Sequence, residues 1–326
     1  MEKTRSIKDG FIKLISIREM GVAIPLVIAI MFFYTQNATF LNPSNIINIL
    51  RVSSFTFITA IGMAYLLTSG GLDLSVGAVY AFAGIVNARL MTSGVPIPLA
   101  LIITILAGGL VGALNGSLVQ FVRLPPFLST MASMMIVRGL VLGVQRGEPI
   151  FPLPEAFNNI GRFNVLTIGE FSVPFVVVVA LVLGLIAALV LKFTSFGRMI
   201  FAVGGNDETS RLAGIPVRKI RFSAYLMSAM LASVTGIMMS ARMESAQPNI
   251  GIGFEMQVIA ACVIGGVSLK GGAGTILGVL FGSLFMSMIA NGMTMIRVSV
   301  HWQQLVMGLV LVLACSLDQL RLGFKK

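Results

Sequence analysis

Residues 173–222 read VPFVVVVALVLGLIAALVLKFTSFGRMIFAVGGNDETSRLAGIPVRKIRF, and they join the two kinds of segment from which the whole chain is built. The first part, Val173–Leu191, is apolar throughout. It is long enough to cross a hydrocarbon core of about 30 Å as one helix. The second part, Lys192–Phe222, sets Lys192, Arg198, Arg211, Arg218, Lys219 and Arg221 against only Asp207 and Glu208. Basic connectors between apolar spans remain on the cytoplasmic side of a membrane. Such an island is either a plain connector or the surface at which a membrane part meets a soluble partner.

Composition extends this reading to the full chain. Of 326 residues, 56% are hydrophobic and 11% charged, where soluble domains carry about 25% charged residues. Mean hydropathy is +0.96. Only helices and closed barrels satisfy their backbone inside lipid. Alternating apolar and polar strands are absent here, so the expected fold is all-α, a polytopic transmembrane helical bundle. The net charge of +11 comes from basic residues that sit mostly between apolar runs. They act as orientation signals there, and no nucleic acid is expected as a partner. Cys262 and Cys315 lie in apolar segments without metal-ligand spacing, and His301 is the only histidine, so no metal site is expected. Ser117 and the other intramembrane serines have no histidine partner. An intramembrane enzyme is therefore not expected, and no cofactor in this chain.

Punctuation divides the chain into about ten spans. A basic tail, 1–19, precedes a first span from about Met20 to Thr35, with no small-x-small cleavage pattern after it. Further spans are expected over Ile46–Thr68, Leu74–Met91, Leu99–Val122, Phe127–Leu142, Val173–Leu191, Ser223–Ala241, Phe254–Leu269, Ala273–Met295 and Gln303–Leu317. Pro125-Pro126 forces a stop and restart between two of them. The proline- and asparagine-rich stretch 143–172 reads as an external loop with a short surface helix, and 318–326 as a second basic tail. With both termini and 192–222 in the cytoplasm, Arg123 and Lys270 fall inside as well. Arg51, Arg89, Arg146, Arg162, Arg242 and Arg297 fall toward the other side and are outnumbered. The transmembrane domain is thus 20–317. Gly70-Gly71-Leu72-Asp73-Leu74 echoes Gly265-Gly266-Val267-Ser268-Leu269, each closing a span on the same side, which suggests a parallel repeat.

Several polar residues are candidates for function. Asp73 either belongs to a hinge or pathway or, with Ser75, caps the next helix at the membrane surface. Asn87, Asn115, Gln120 and Asn291 lie inside spans, where pathway lining and interhelical bonding are equally open. Gln247 and Asn249 suit a polyhydroxylated solute or simply an exposed loop. Arg242, Glu244 and Glu255 offer charges for docking a delivery protein. Residues 265–274 lack the lysine–hydroxyl order of a phosphate loop, and they read instead as a tight turn. Trp302 anchors the last span at an interface.

Within the island, Asn206 is a good N-cap, Asp207 and Glu208 suit the first turn of a short helix, and Gly214 with Pro216 ends it. At this point the chain resembles the permease subunit of ribose-type, carbohydrate-importing ABC transporters of bacteria. The likeness covers nearly everything after the N-terminal tail. It is carried by GGLDLSVGA (70–78), LPPFLSTMASMMIVRGL (124–140), FGRMIFAVGGNDETSRLAGI (196–215) and ARMESAQPNIGIGFEMQVIAACVIGGVSLKGGAGTILG (241–278), in the family's order. Met131-Ala132 departs from the family's common Leu-Gly. The resemblance implies that Gly205, Asn206, Asp207, Glu208, Arg211, Leu212 and Gly214 form a coupling helix docked on a cytoplasmic ABC ATPase, which would hold the ATP and Mg. It also implies a second permease subunit, a periplasmic or surface-tethered sugar-binding protein, and a place in the bacterial inner membrane. A nucleoside or amino acid as cargo, or an uncoupled facilitator, are the alternatives.

Overall fold

The computed structural model describes residues 20–169 and 171–323, and the tail expected over 1–19 lies outside them. Ten helices stand where apolar spans are expected. They are α1 (Met20–Gln36), α2 (Pro43–Thr68), α3 (Val76–Thr92), α4 (Ile97–Gln120), α5 (Pro126–Gln145), α7 (Phe175–Phe193), α10 (Val217–Met243), α11 (Phe254–Ile264), α12 (Ile276–Met295) and α13 (Val300–Gly323). Three short helices complete the set: α6 (Glu155–Arg162), α8 (Ser195–Gly205) and α9 (Asp207–Leu212). Among the described residues, α2, α4, α5, α7, α10 and α12 are long and apolar enough to cross a membrane, and the apolar parts of the other four are shorter.

The structure departs from the sequence expectation in four places. The 143–172 loop contains α6 as expected but ends in a hairpin, in which β1 (Asn164–Ile168) pairs antiparallel with β2 (Phe171–Pro174). Helix α10 begins at Val217, directly after Pro216, so the end of the basic island is the start of a span and not a connector. The expected span Phe254–Leu269 is helical only to Ile264. Eleven residues rise about 16 Å, half the hydrocarbon thickness. Irregular backbone at such depth is tolerated where protein surrounds it; Val267 and Ser268, just beyond α11, are buried. Finally, α13 continues through the start of the expected C-terminal tail to Gly323.

Helix α10 lies at the centre, packed against α2, α3, α4 and α6. Lipid is as apolar as leucine and supplies no hydrophobic drive between helices, so close contact depends on small residues. Helix α4 presents Gly108, Gly112 and Gly116 to α10, one per turn. A Cβ on Gly112 would lie 2.6 Å from the Tyr225 carbonyl oxygen, and one on Gly62 of α2 would lie 2.6 Å from Ser228 Cα. The Thr59 and Thr235 hydroxyls hydrogen-bond across α2 and α10 at 2.8 Å. Helix α2 is consequently buried on every side from Ser53 to Thr68. Large apolar side chains such as Leu106 and Leu110 of α4, Leu185 of α7 and Leu309 of α13 point outward instead.

The turns gather at two ends of the bundle. At one end the Gly272 amide donates to the Thr68 carbonyl at 2.8 Å, and Gly204 packs against both. At the other, Ile150 and Ala246 form a β-bridge, Arg162 pairs with Glu244, and Asn45 and Asn291 exchange bonds of 3.1 and 3.0 Å. The glycine echo is also geometric. Gly70 and Gly266 both have φ of 81°, and in each case the next residue bonds back five residues to close its helix, Gly71 to Leu66 and Val267 to Cys262.

Gly62→Ala forces α2 from α10 and is expected to destabilise the protein by about 1–3 kcal/mol in thermal or denaturant unfolding of the purified permease. Gly139→Ala, where a Cβ meets nothing within 4 Å, is expected to be neutral or stabilising by up to about 1 kcal/mol.

Candidate functional site

Two assemblies of polar groups stand out, one at each end of the α10 axis. The first surrounds α9. Asn206 accepts from the Thr209 amide at 2.9 Å, which caps the helix as its residue type suggests. Gly214, with φ of 79°, ends it, and Ile215 bonds back to the Ser210 carbonyl at 3.0 Å. The six-residue helix projects Glu208, Arg211 and Leu212 to solvent, and Leu212 is 84% exposed. Gly205 and Gly214 flank it, both exposed. Ser210 is buried against the bundle, and Asp207 reaches toward it, where Arg221 holds both carboxylate oxygens at 2.7 and 2.5 Å.

Behind α9 lies the loop between α2 and α3. Asp73 is fully buried. Its Oδ1 accepts from the Ser75 amide at 2.8 Å and the Ser75 hydroxyl at 2.6 Å, while Ser75 itself makes no side-chain cap. Asn115 of α4 donates to Ser75 Oγ at 2.9 Å and, more weakly, to Asp73 at 3.4 Å. The Asn115 amide oxygen has no protein partner, and the second oxygen of Asp73 faces the Ser228 hydroxyl. The structure thus brings Asp73 and Asn115 together in one buried network. Asn87 is separate, buried in α3 with only a long contact to Met91 sulfur at 3.9 Å. Asn291 is paired with Asn45, joining α12 to α2.

At the opposite end, the charges expected to dock a delivery protein have internal partners. Arg242 donates to Asn48 at 3.2 Å and lies 5.8 Å from the Phe55 ring centroid. Glu244 is paired with Arg162; the hydrogen bond between them holds the Glu244 carboxyl below its usual range and the guanidinium above its own. Glu255 is buried against Gly77. Gln247 bonds weakly to Ser245 at 3.4 Å, and Asn249 is exposed. Arg89, another basic residue on this side, is held by Gln145.

Two features of this end escape sequence reading. Arg138 of α5 donates to the carbonyls of Ile250 at 2.6 Å, Pro248 at 3.2 Å and Gly77 at 3.2 Å, clamping the loop before α11 onto the start of α3. Beside this loop lies a cavity of about 560 Å³, bounded by α2, α11, α12 and α13 and lined in part by Thr56, Tyr80, Gln257, Gln303 and Gln304. That volume lies within the usual range for small-molecule pockets. Gln257 donates to Thr56 at 3.3 Å, halfway along α2. An arginine within an apolar span was the signal available for Arg138; isolated glutamines in different helices gave none. Arg138→Ala leaves three carbonyls without their donor and is expected to cost about 2–3 kcal/mol. Hydrogen exchange should accelerate locally over 248–253.

Comparison with known proteins agrees with this architecture. The family profile described as "Branched-chain amino acid transport system / permease component" matches residues 45–315. The chain is 35% identical to the ribose import permease protein of Escherichia coli strain K12 over 302 residues, covering 92% of this chain and 93% of that one. It is 31% identical to the galactose/methyl galactoside import permease protein of Haemophilus influenzae, covering 95% and 96%. It is also 31% identical to a xylose transport system permease protein of Escherichia coli strain K12, covering 92% and 91%. No solved structure matches it. The chain is a multi-pass membrane protein and belongs to the family of ABC-importer permease components, with ribose-type import permeases among its relatives.

Proposed function

We propose that this chain is the membrane-spanning subunit of an ATP-driven importer that carries a monosaccharide across the bacterial inner membrane. The observation that carries the proposal is α9, a capped helix outside the bundle whose exposed Glu208, Arg211 and Leu212 stand among basic residues. An apolar Leu212 flanked by both charges suits a groove on a cytoplasmic ATPase, on which ATP and Mg would act. The helix ends and turns at this end carry Arg123, Lys192, Arg198, Arg218, Lys219 and Lys270, which supports a cytoplasmic location. Arg89, Arg162 and Arg242 at the other end have internal partners and weigh less against it. On this reading the ten apolar helices give ten crossings, with α11 completing its crossing through the buried turn at Val267 and Ser268. The termini then both lie in the cytoplasm.

The sugar would be delivered from an extracytoplasmic binding protein and would pass beside Thr56, Gln257, Gln303 and Gln304, whose amides and hydroxyl match sugar hydroxyls. A second permease subunit would complete the pathway. ATP binding would favour one of two permease states through its differential affinity for them, giving alternating access. The names of the relatives support ribose, galactose or xylose as the class of cargo. A branched-chain amino acid is the second reading, favoured by the family profile's description and by the apolar residues that share the cavity lining.

The test is uptake into proteoliposomes holding the permease, its ATPase and its binding protein. Labelled ribose, galactose and xylose are compared with labelled leucine, with and without ATP. ATP-dependent uptake of one sugar is expected; uptake of leucine alone, or equilibration without the ATPase, would overturn the proposal. Combining Arg211→Glu with Leu212→Asp should release the ATPase on co-purification and lower uptake at least about tenfold. The permease itself should remain in the membrane.

A further inference from the structure

Residues of α9 do not all face the same way. Glu208, Arg211 and Leu212 face solvent, whereas the Asp207 carboxylate, 41% exposed, is engaged by Arg221, whose side chain is only 18% exposed. Arg221 has a third bond. Its Nε donates at 2.7 Å to the carbonyl of Ser69, a fully buried residue in the turn that ends α2. One guanidinium therefore joins the short external helix to the loop that leads into α3. A lysine, a point donor on a flexible stem, would not hold a bidentate carboxylate and a carbonyl in one fixed plane.

Further contacts make this loop stiff. Tyr225, one turn along α10 from Arg221, donates to the Leu72 carbonyl at 3.2 Å. On the other side Gly272 donates to Thr68, and Gly204, two residues before the α9 cap, packs on both. The chain beyond the loop enters α3, which carries Gly77, whose carbonyl Arg138 binds, and Tyr80, which lines the cavity. A displacement of α9 thus has a route through the Arg221 bonds to this loop and, along the backbone of α3, to the cavity wall.

We propose that Arg221 is a positioning residue that transmits movement of α9 to the Ser69–Asp73 loop, and that Asp207 serves this link and not the ATPase surface. The proposal rests on α9 being the docking helix. Its signature is a loss of transport per ATP hydrolysed while the ATPase stays bound, which a residue needed only for folding or docking would not produce.

The experiment uses the complete reconstituted transporter, with the labelled sugar of the three that the wild type takes up as probe. Arg221→Gln is expected to retain its ATPase on co-purification and to lower sugar transported per ATP about tenfold, the size of a typical coupling between sites. Asp207→Asn should do the same, and it supplies the test if Arg221→Gln fails to assemble. The double variant should be no worse than either single one, since both break one link. Arg218→Gln, a neighbouring exposed basic residue, should stay near wild type. Transport per ATP near the wild-type value in Arg221→Gln or Asp207→Asn would overturn the proposal, as would multiplying effects in the double variant. Release of the ATPase by Asp207→Asn would make Asp207 a docking contact and overturn it too. Retention of ATPase and uptake when Arg211 and Leu212 are changed would instead refute α9 as the docking helix.

Discussion

The structure depends on how closely α10 approaches its neighbours. In lipid, two helices gain little from contact unless their backbones come near enough for dispersion and short hydrogen bonds. Gly62, Gly108 and Gly112 remove the side chains that would keep α2 and α4 away. Once α10 is seated, its own residues reach elements far apart in sequence. Arg221 meets Asp207 and Ser69, Tyr225 meets Leu72, and Thr235 meets Thr59. A wider α10–α2 gap would break the contacts to Ser69, Leu72 and Thr59, because each spans less than about 3.5 Å.

This packing also explains why irregular backbone sits inside the bundle. The Ser69–Ser75 loop and the 265–275 turn leave peptide groups that hydrocarbon cannot satisfy. Several are satisfied by protein: Thr68 by Gly272, Ser69 by Arg221, Leu72 by Tyr225 and Ser268 by Ala273. The loops are therefore positioned and not merely enclosed. The short α11 follows from the same logic, with Gly266 at positive φ ending it where the chain turns toward α12.

Much of this was legible in the residues. The apolar runs and their proline and glycine punctuation gave ten helices in the right order, because long hydrophobic segments have few alternatives in a membrane. Cap chemistry found α9, since Asn206 and Gly214 act locally. What failed had non-local causes. Charge patterning read Arg218–Phe222 as connector, yet those residues open α10. Asp73 stayed open between pathway and cap because no sequence rule shows that Asn115 and Ser75 enclose it. Nor does any show that Asn48, Arg162 and Gly77 lie next to Arg242, Glu244 and Glu255 across the fold. The cavity was invisible because Thr56, Gln257 and Gln303 come from three separate helices.

The central claim is that α9 lies in the cytoplasm and is covered by a partner ATPase. Its most direct test is a single cysteine at Leu212 in a Cys315→Ser background, where the native Cys262 is buried. The probe is a membrane-impermeant maleimide. The account predicts labelling in inverted vesicles, none in right-side-out spheroplasts, and protection when the ATPase is added. Labelling from the outer side, or full labelling with the ATPase bound, would contradict it.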